Sequence, residues 1–109
     1  MKTYYHVTLT QNLQSIFTHG LKPNIGELSQ LCNETMPKIY LFPSLSDMET
    51  ALSSWLGETI NEQYGETIEC CSLEISVPDD FPIQEGDVEY EVYSYSTISP
   101  QYIRYLKEE

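Results

Sequence analysis

Lys38–Leu52, KIYLFPSLSDMETAL, sets the two kinds of regular structure side by side. Its first five residues are apolar, aromatic and β-branched around a single lysine, the length and composition of a buried strand. Pro43 ends that strand, because a proline offers no N–H to a sheet ladder. Ser44 or Ser46 can then cap a helix expected from Asp47 to about Leu56. Met48, Ala51, Leu52 and Trp55 fall at the i, i+3, i+4, i+7 spacing of one apolar face, with Gly57 the expected stop.

The same alternation of types continues outward in both directions. Upstream, Tyr4 to Leu9 reads as a strand, and Thr10-Gln11-Asn12 offers a cap ahead of the apolar positions Leu13, Ile16 and Phe17. Gly20 closes this first helix, and with Pro23 close behind, residues 21–37 read as a loop. Downstream, Glu66 to Val77 alternates as a strand between Gly65 and Pro78, Asp79 to Asp87 is a connection rich in turn residues, and Val88 to Ser96 is a further strand. Pro100 to Leu106 fits either a short helix or a final strand. The chain carries no internal repeat, linker or low-complexity segment, so residues 1–109 are expected to form one α+β domain whose two or three short helices pack on a mostly antiparallel sheet.

Five Lys and Arg stand against seventeen Asp and Glu, for a net charge of −12. Such a balance disfavours non-specific attraction to nucleic-acid phosphates or anionic lipid. The charge is uneven: residues 1–46 hold Lys2, Lys22 and Lys38 against Glu27 and Glu34, and the other fifteen acids all follow, against Arg104 and Lys107 alone. The acidic half serves either solubility or the steering of a basic partner. The first ten residues hold no continuous apolar stretch, and no later segment approaches the ~18 apolar residues of a membrane span, so a cytoplasmic protein without a membrane segment is expected. Of three cysteines, Cys70 and Cys71 are adjacent, a poor disulfide framework without zinc-finger spacing; they read as reduced thiols, with a vicinal redox pair as the alternative.

Imidazole chemistry has only His6 and His19 to draw on. His19, beside Gly20, suits a helix C-terminus, where a cation favours the dipole. His6 lies mid-strand, where a polar ring needs a hydrogen-bond partner, and Thr8 shares its face; a satisfied structural histidine and a ligand-binding one are both open. Tyr40 is either core packing or a stacking wall for a flat ligand. Glu89 and Glu91 share one face of their strand with Tyr93 and Tyr95, either as a solvated acidic edge or as functional carboxylates. Trp55 fits core packing by its spacing, with a place in a pocket wall as the alternative.

Taken in order, strand-His, strand-Tyr and strand-Glu resemble the His-Tyr-Glu pattern of diphtheria-toxin-like and poly(ADP-ribose)-polymerase-like ADP-ribosyltransferases. YYHVT with the following helix and HGLKP is similar to the first strand and helix of that fold. KIYLF with its Ser-led helix is similar to the tyrosine strand, and VEYEVYSYSTISPQYIRYL to the glutamate strand and closing segment. The resemblance implies a split β-sheet core and NAD as substrate. It places His6 on the adenosine ribose, Tyr40 in a stack with nicotinamide and Glu89 on the nicotinamide ribose. Thr8 would stand at the family's ribose-contacting Ser or Thr, and the Val7 backbone would face the nicotinamide amide, where many members have Gly. Glu89-Tyr90-Glu91 also resembles the Glu-x-Glu element of arginine-modifying transferases, but that class has an Arg in its first strand, which is absent here. Glu91 is therefore the candidate for acceptor contact.

The chemistry suits these residue types. Breaking the bond from ribose to nicotinamide builds positive charge on the sugar, which a fixed carboxylate stabilises more in the transition state than in the ground state. Neither a metal nor a covalent nucleophile is required. The expected activity is mono-ADP-ribosyl transfer to a macromolecule, a protein being favoured over nucleic acid by the acidic charge. NAD hydrolysis and a non-catalytic acidic binding module on the same fold are the alternatives. By family habit, a domain of this size suits a bacterial toxin or a phage-encoded effector. The loop from Leu21 to Pro37 is a candidate for choosing the acceptor.

Overall fold

Eight residues rich in Thr, Tyr and Val open the chain, and in the computed structural model they form the long strand β1, Lys2–Leu9. The structure describes residues 1–23, 38–65, 68–86 and 92–108. A 3-10 turn, Thr10–Asn12, leads into helix α1, Leu13–His19, and then come strand β2, Ile39–Leu41, and the helices α2, Leu45–Leu52, and α3, Trp55–Tyr64. Strands β3, Cys70–Val77, β4, Gln84–Glu85, and β5, Val92–Ser94, follow, and a second 3-10 turn, Pro100–Tyr102, enters β6, Ile103–Glu108.

The strands sort into two antiparallel sheets, in the orders β1-β3-β6 and β2-β5-β4. Tyr5 and Phe42 join them by a reciprocal backbone pair, Tyr5 N–H to Phe42 O at 2.9 Å and Phe42 N–H to Tyr5 O at 2.8 Å. A second isolated bridge pairs Leu21 with Ile98. The α+β class and the antiparallel pairing agree with the expectation from sequence.

Two apolar clusters lie on opposite faces of the first sheet. In β3, alternation buries Leu73, Ile75 and Val77 against Ile39 and Leu41 of β2, with Ile16 of α1, Ile98 and Ile103 completing this larger core. The other face carries Tyr5, Val7 and Cys70, which pack with Phe42 and with Met48, Ala51 and Ile60 of the α2–α3 pair. Cys70 and Cys71 thus point to different layers. Neither is in a disulfide, Cys71 is fully buried and Cys70 half-buried, and burial pushes the Cys70 thiol up from its ordinary range.

Several local expectations meet their physical cause. Ser44, not Ser46, caps α2: its Oγ accepts from the Asp47 N–H at 3.0 Å. Pro100–Leu106 is both of the forms foreseen, one 3-10 turn and then the start of a strand. One expectation is corrected. The helix foreseen from Asp47 to about Leu56 is instead two helices, and Gly57 lies inside the second rather than stopping the first. A Cβ at Gly57 would sit 2.0 Å from the Leu52 carbonyl oxygen, so the missing side chain is what lets α3 start so close to the end of α2. Phe17 is also less buried than its spacing suggested, at 40% exposure, because α1 turns only Ile16 and Leu13 into the core.

Gly20 ends α1 with φ 87°, and a Cβ there would lie 2.3 Å from the Ile98 carbonyl oxygen. Gly65 ends α3 with nearly the same φ, 88°, yet has nothing within 4 Å of its would-be Cβ. The pair separates backbone strain from collision. Gly65→Ala is expected to destabilise the fold by about 1–2 kcal/mol through strain alone, and Gly20→Ala by roughly 1 kcal/mol or more beyond that, in urea unfolding.

Candidate functional site

His6 stands at the centre of β1 in register with Leu73 of β3, and so on the face of the sheet that holds the larger core. Thr8 shares this face, paired with Cys71. Just beyond Tyr5, where β1 meets β2, the ring of His6 reaches the other strand, and its Nδ1 lies 2.7 Å from the main-chain oxygen of Tyr40. Desolvation holds the His6 pKa below its ordinary value, against a smaller upward push from the Tyr40 carbonyl. The ring is therefore neutral at pH 7. Because a carbonyl only accepts, the one ring proton sits on Nδ1, which donates to Tyr40 O and leaves Nε2 as an acceptor. Such a nitrogen suits a ligand hydroxyl.

Tyr40 alternates with buried Ile39 and Leu41, which puts its ring on the side of β2 away from the core between the sheets. Across the ladder it pairs with Tyr93 of β5, their ring centroids 6.3 Å apart and edge to face. Tyr93 in turn meets Tyr95 at 5.4 Å, also edge to face, and Tyr95 is 45% exposed. The ammonium of Lys38 stands 4.5 Å from the centre of the Tyr93 ring and 5.8 Å from that of Tyr40. Next to Tyr93, the buried Ser94 hydroxyl donates to Pro82 O at 2.8 Å and fixes β5 against the preceding segment.

The structure thus joins His6 to the main chain of Tyr40, keeps Thr8 on the His6 face, and sets Tyr40 in an aromatic row. Val7 faces the other way, against the helix-side cluster. Glu89 and Glu91 lie outside the described residues, as does most of the loop from Leu21 to Pro37. The alternation foreseen for the glutamate strand holds where it is described: Val92 packs on the core, while Tyr93 joins Tyr40 on the outer side. Sequence reasoning noted Tyr93 and Tyr95 only as companions of the two glutamates and gave Lys38 no role. The signal was present in the Lys-x-Tyr and Tyr-x-Tyr spacings, since a strand places such residues on one face.

A shallow groove lined by Met1, Glu74, Ser76, Tyr102 and Arg104 lies elsewhere and takes in none of the predicted site residues. The Arg104–Glu74 pair inside it, at 2.6 Å, is an exposed ion pair. Among the described residues no three His, Cys, Asp or Glu side chains come together to hold a metal ion, and no helix is long and apolar enough to cross a membrane.

The depressed His6 pKa makes stability depend on pH with a definite sign. Unfolded chains bind the imidazole proton near pH 6.5, where folded chains still exclude it, so the His6 contribution is fully present above that pH and is lost as pH falls toward the folded pKa. Urea unfolding between pH 8 and 5 is expected to show the wild type losing stability on acidification more steeply than His6→Gln. Equal slopes would mean that His6 is as readily protonated folded as unfolded. No family model, no curated protein and no solved structure matches this chain.

Proposed function

We propose that this chain is an ADP-ribosyltransferase-like domain that cleaves NAD and passes ADP-ribose to a macromolecular acceptor, in preference a protein. The observation that carries the reading is the 2.7 Å contact from His6 to the Tyr40 carbonyl. It joins the two strands whose His6 and Tyr40 the His-Tyr-Glu resemblance assigns to one NAD molecule, although 34 residues separate them in sequence. It also leaves a neutral imidazole whose free role is to accept a hydrogen bond, as a ribose hydroxyl would supply. The pairing of Tyr40 with Tyr93 adds support, because it ties the tyrosine strand to the strand that follows Glu89.

In this reading His6 Nε2 accepts from the adenosine ribose, with Thr8 beside it on the same face. The Tyr40 ring stacks on nicotinamide, the Val7 main chain meets its amide, Glu89 bonds the nicotinamide ribose and Glu91 contacts the acceptor. The C1′–N bond breaks with its electron pair leaving on nicotinamide, and the positive charge that develops on the ribose is stabilised by the Glu89 carboxylate. Attack by the acceptor nucleophile, with loss of its proton, completes the transfer. The acidic surface favours a basic protein as acceptor over a polyanion.

The test is nicotinamide release from NAD by purified protein, with and without cell lysate. Lysate-dependent release in the wild type, falling about 100-fold or more in Glu89→Gln, is the expected outcome. Release without lysate would turn the reading to NAD hydrolysis. No release under either condition, with a macromolecular partner still bound, would turn it to a non-catalytic module.

A further inference from the structure

The α2–α3 pair roofs one face of the first sheet as far as Tyr5. Beyond it Thr3 is exposed, and its ladder partner Ser76 lies half-buried in the groove of about 220 Å³ that Glu74, Tyr102 and Arg104 also line. Pockets for drug-sized molecules begin near ~300 Å³, so this groove suits a ligand well below the size of a dinucleotide. Arg104 stands across the ladder from Glu74 and donates from Nη2 to Glu74 Oε1 at 2.6 Å. The two ends of the ion pair differ in depth: the Arg104 side chain is 72% exposed, at the mouth, and that of Glu74 22% exposed, toward the floor. One hydrogen bond uses little of their capacity. The guanidinium keeps further donors, the second Glu74 oxygen keeps its lone pairs, and among the described residues the Ser76 hydroxyl has no hydrogen-bond partner.

We propose that this groove binds a free α-amino acid of small side chain, its carboxylate on Arg104 and its ammonium on Glu74 and the Ser76 hydroxyl. An ion pair presents the field of a dipole, and the ligand that complements it carries a cation and an anion side by side. The bond lengths of an α-amino acid hold its nitrogen and nearer carboxylate oxygen about 3 Å apart. That separation is close to the 2.6 Å of the protein pair, so the two dipoles lie head to tail with each charge against its opposite. Net charge decides against simpler ligands. At −12 the protein disfavours a lone anion, and Arg104 disfavours a lone cation at Glu74, whereas a zwitterion is neutral at a distance and meets both charges on contact. The groove takes in none of the residues assigned to NAD, so the proposal stands apart from that reading.

The probes are glycine and L-alanine, with acetate and ethylamine as their anionic and cationic halves. Each is titrated at pH 7 and fixed ionic strength against wild type, Glu74→Gln, Arg104→Gln and Ser76→Ala, with binding read from the backbone amide NMR shifts of Ser76 and Arg104. The wild type is expected to saturate with either amino acid at millimolar concentration and to bind acetate and ethylamine about tenfold more weakly or less. Glu74→Gln and Arg104→Gln are each expected to lose about tenfold in affinity for the amino acids, and Ser76→Ala about threefold. An exposed ion pair adds little to stability, so the charge variants are expected to keep the wild-type urea midpoint and a loss of binding reads as a loss of the site. Ser76→Ala tests the groove with the ion pair intact. Acetate or ethylamine binding as tightly as alanine overturns the zwitterion assignment. Unchanged affinity in all three variants, or no saturable shift in the wild type, overturns the site.

Discussion

The reciprocal backbone pair between Tyr5 and Phe42 is the constraint on which the two-sheet arrangement rests. It joins β1 to β2 at one residue pair, after which the strands part and serve different sheets. The division shows in consecutive residues: Leu41 goes to the core between the sheets and Phe42 to the cluster under the helices. With so little shared ladder, the His6 bond to Tyr40 O acts as a further rung made by a side chain. A buried polar contact of this kind is costly to leave half made, so it specifies the angle at which the second sheet departs from the first.

The opposite end is held by Leu21 and Ile98, whose reciprocal bonds run at 2.9 and 2.8 Å. Here the close approach comes from the backbone of Gly20, which packs on the Ile98 carbonyl where no side chain could fit. The two clasps have different chemistry. One is polar and sits beside the candidate ligand groups, and the other is steric and depends on a missing methyl group. Between them lies a core of Ile, Leu and Val that among the described residues holds no charged side chain, so it is not weakened by ionic screening and leaves the polar residues at the clasp to do chemistry.

Much of this was legible in the residues. β-Branched and aromatic runs marked β1, β2 and β3, Gly20 marked the end of α1, and the two serines after Pro43 marked the start of α2 to within two residues. What the residues hid was pairing. Nothing in the period of KIYLF says that Tyr40 lies opposite Tyr93, or that a histidine in another strand bonds its carbonyl, because such contacts are set by how layers pack and not by local preference. The break between α2 and α3 was hidden for a related reason. Apolar spacing continues from Met48 to Trp55 across the break at Ser53 and Ser54, and the approach of Gly57 to the Leu52 carbonyl is a contact that spacing does not reveal. Of the candidate site, the His6 and Tyr40 positions were readable from strand type, whereas the ammonium over the aromatic row came from a lysine that in sequence looked like a strand's first polar residue.

The adjacent cysteines of β3 give the molecule a pair of internal reporters. Cys70 belongs to the layer roofed by α2 and α3, while Cys71, its nearest neighbour in sequence, shares a face with Leu73 in the layer sealed by the second sheet. A thiol reagent therefore samples two separate doors. Half-buried Cys70 sets the baseline, and lifting the helical pair uncovers it further while leaving Cys71 shielded, whereas reaction at Cys71 requires the sheets to part. The rate at Cys71 relative to that at its neighbour thus reports how often the layer between the sheets opens.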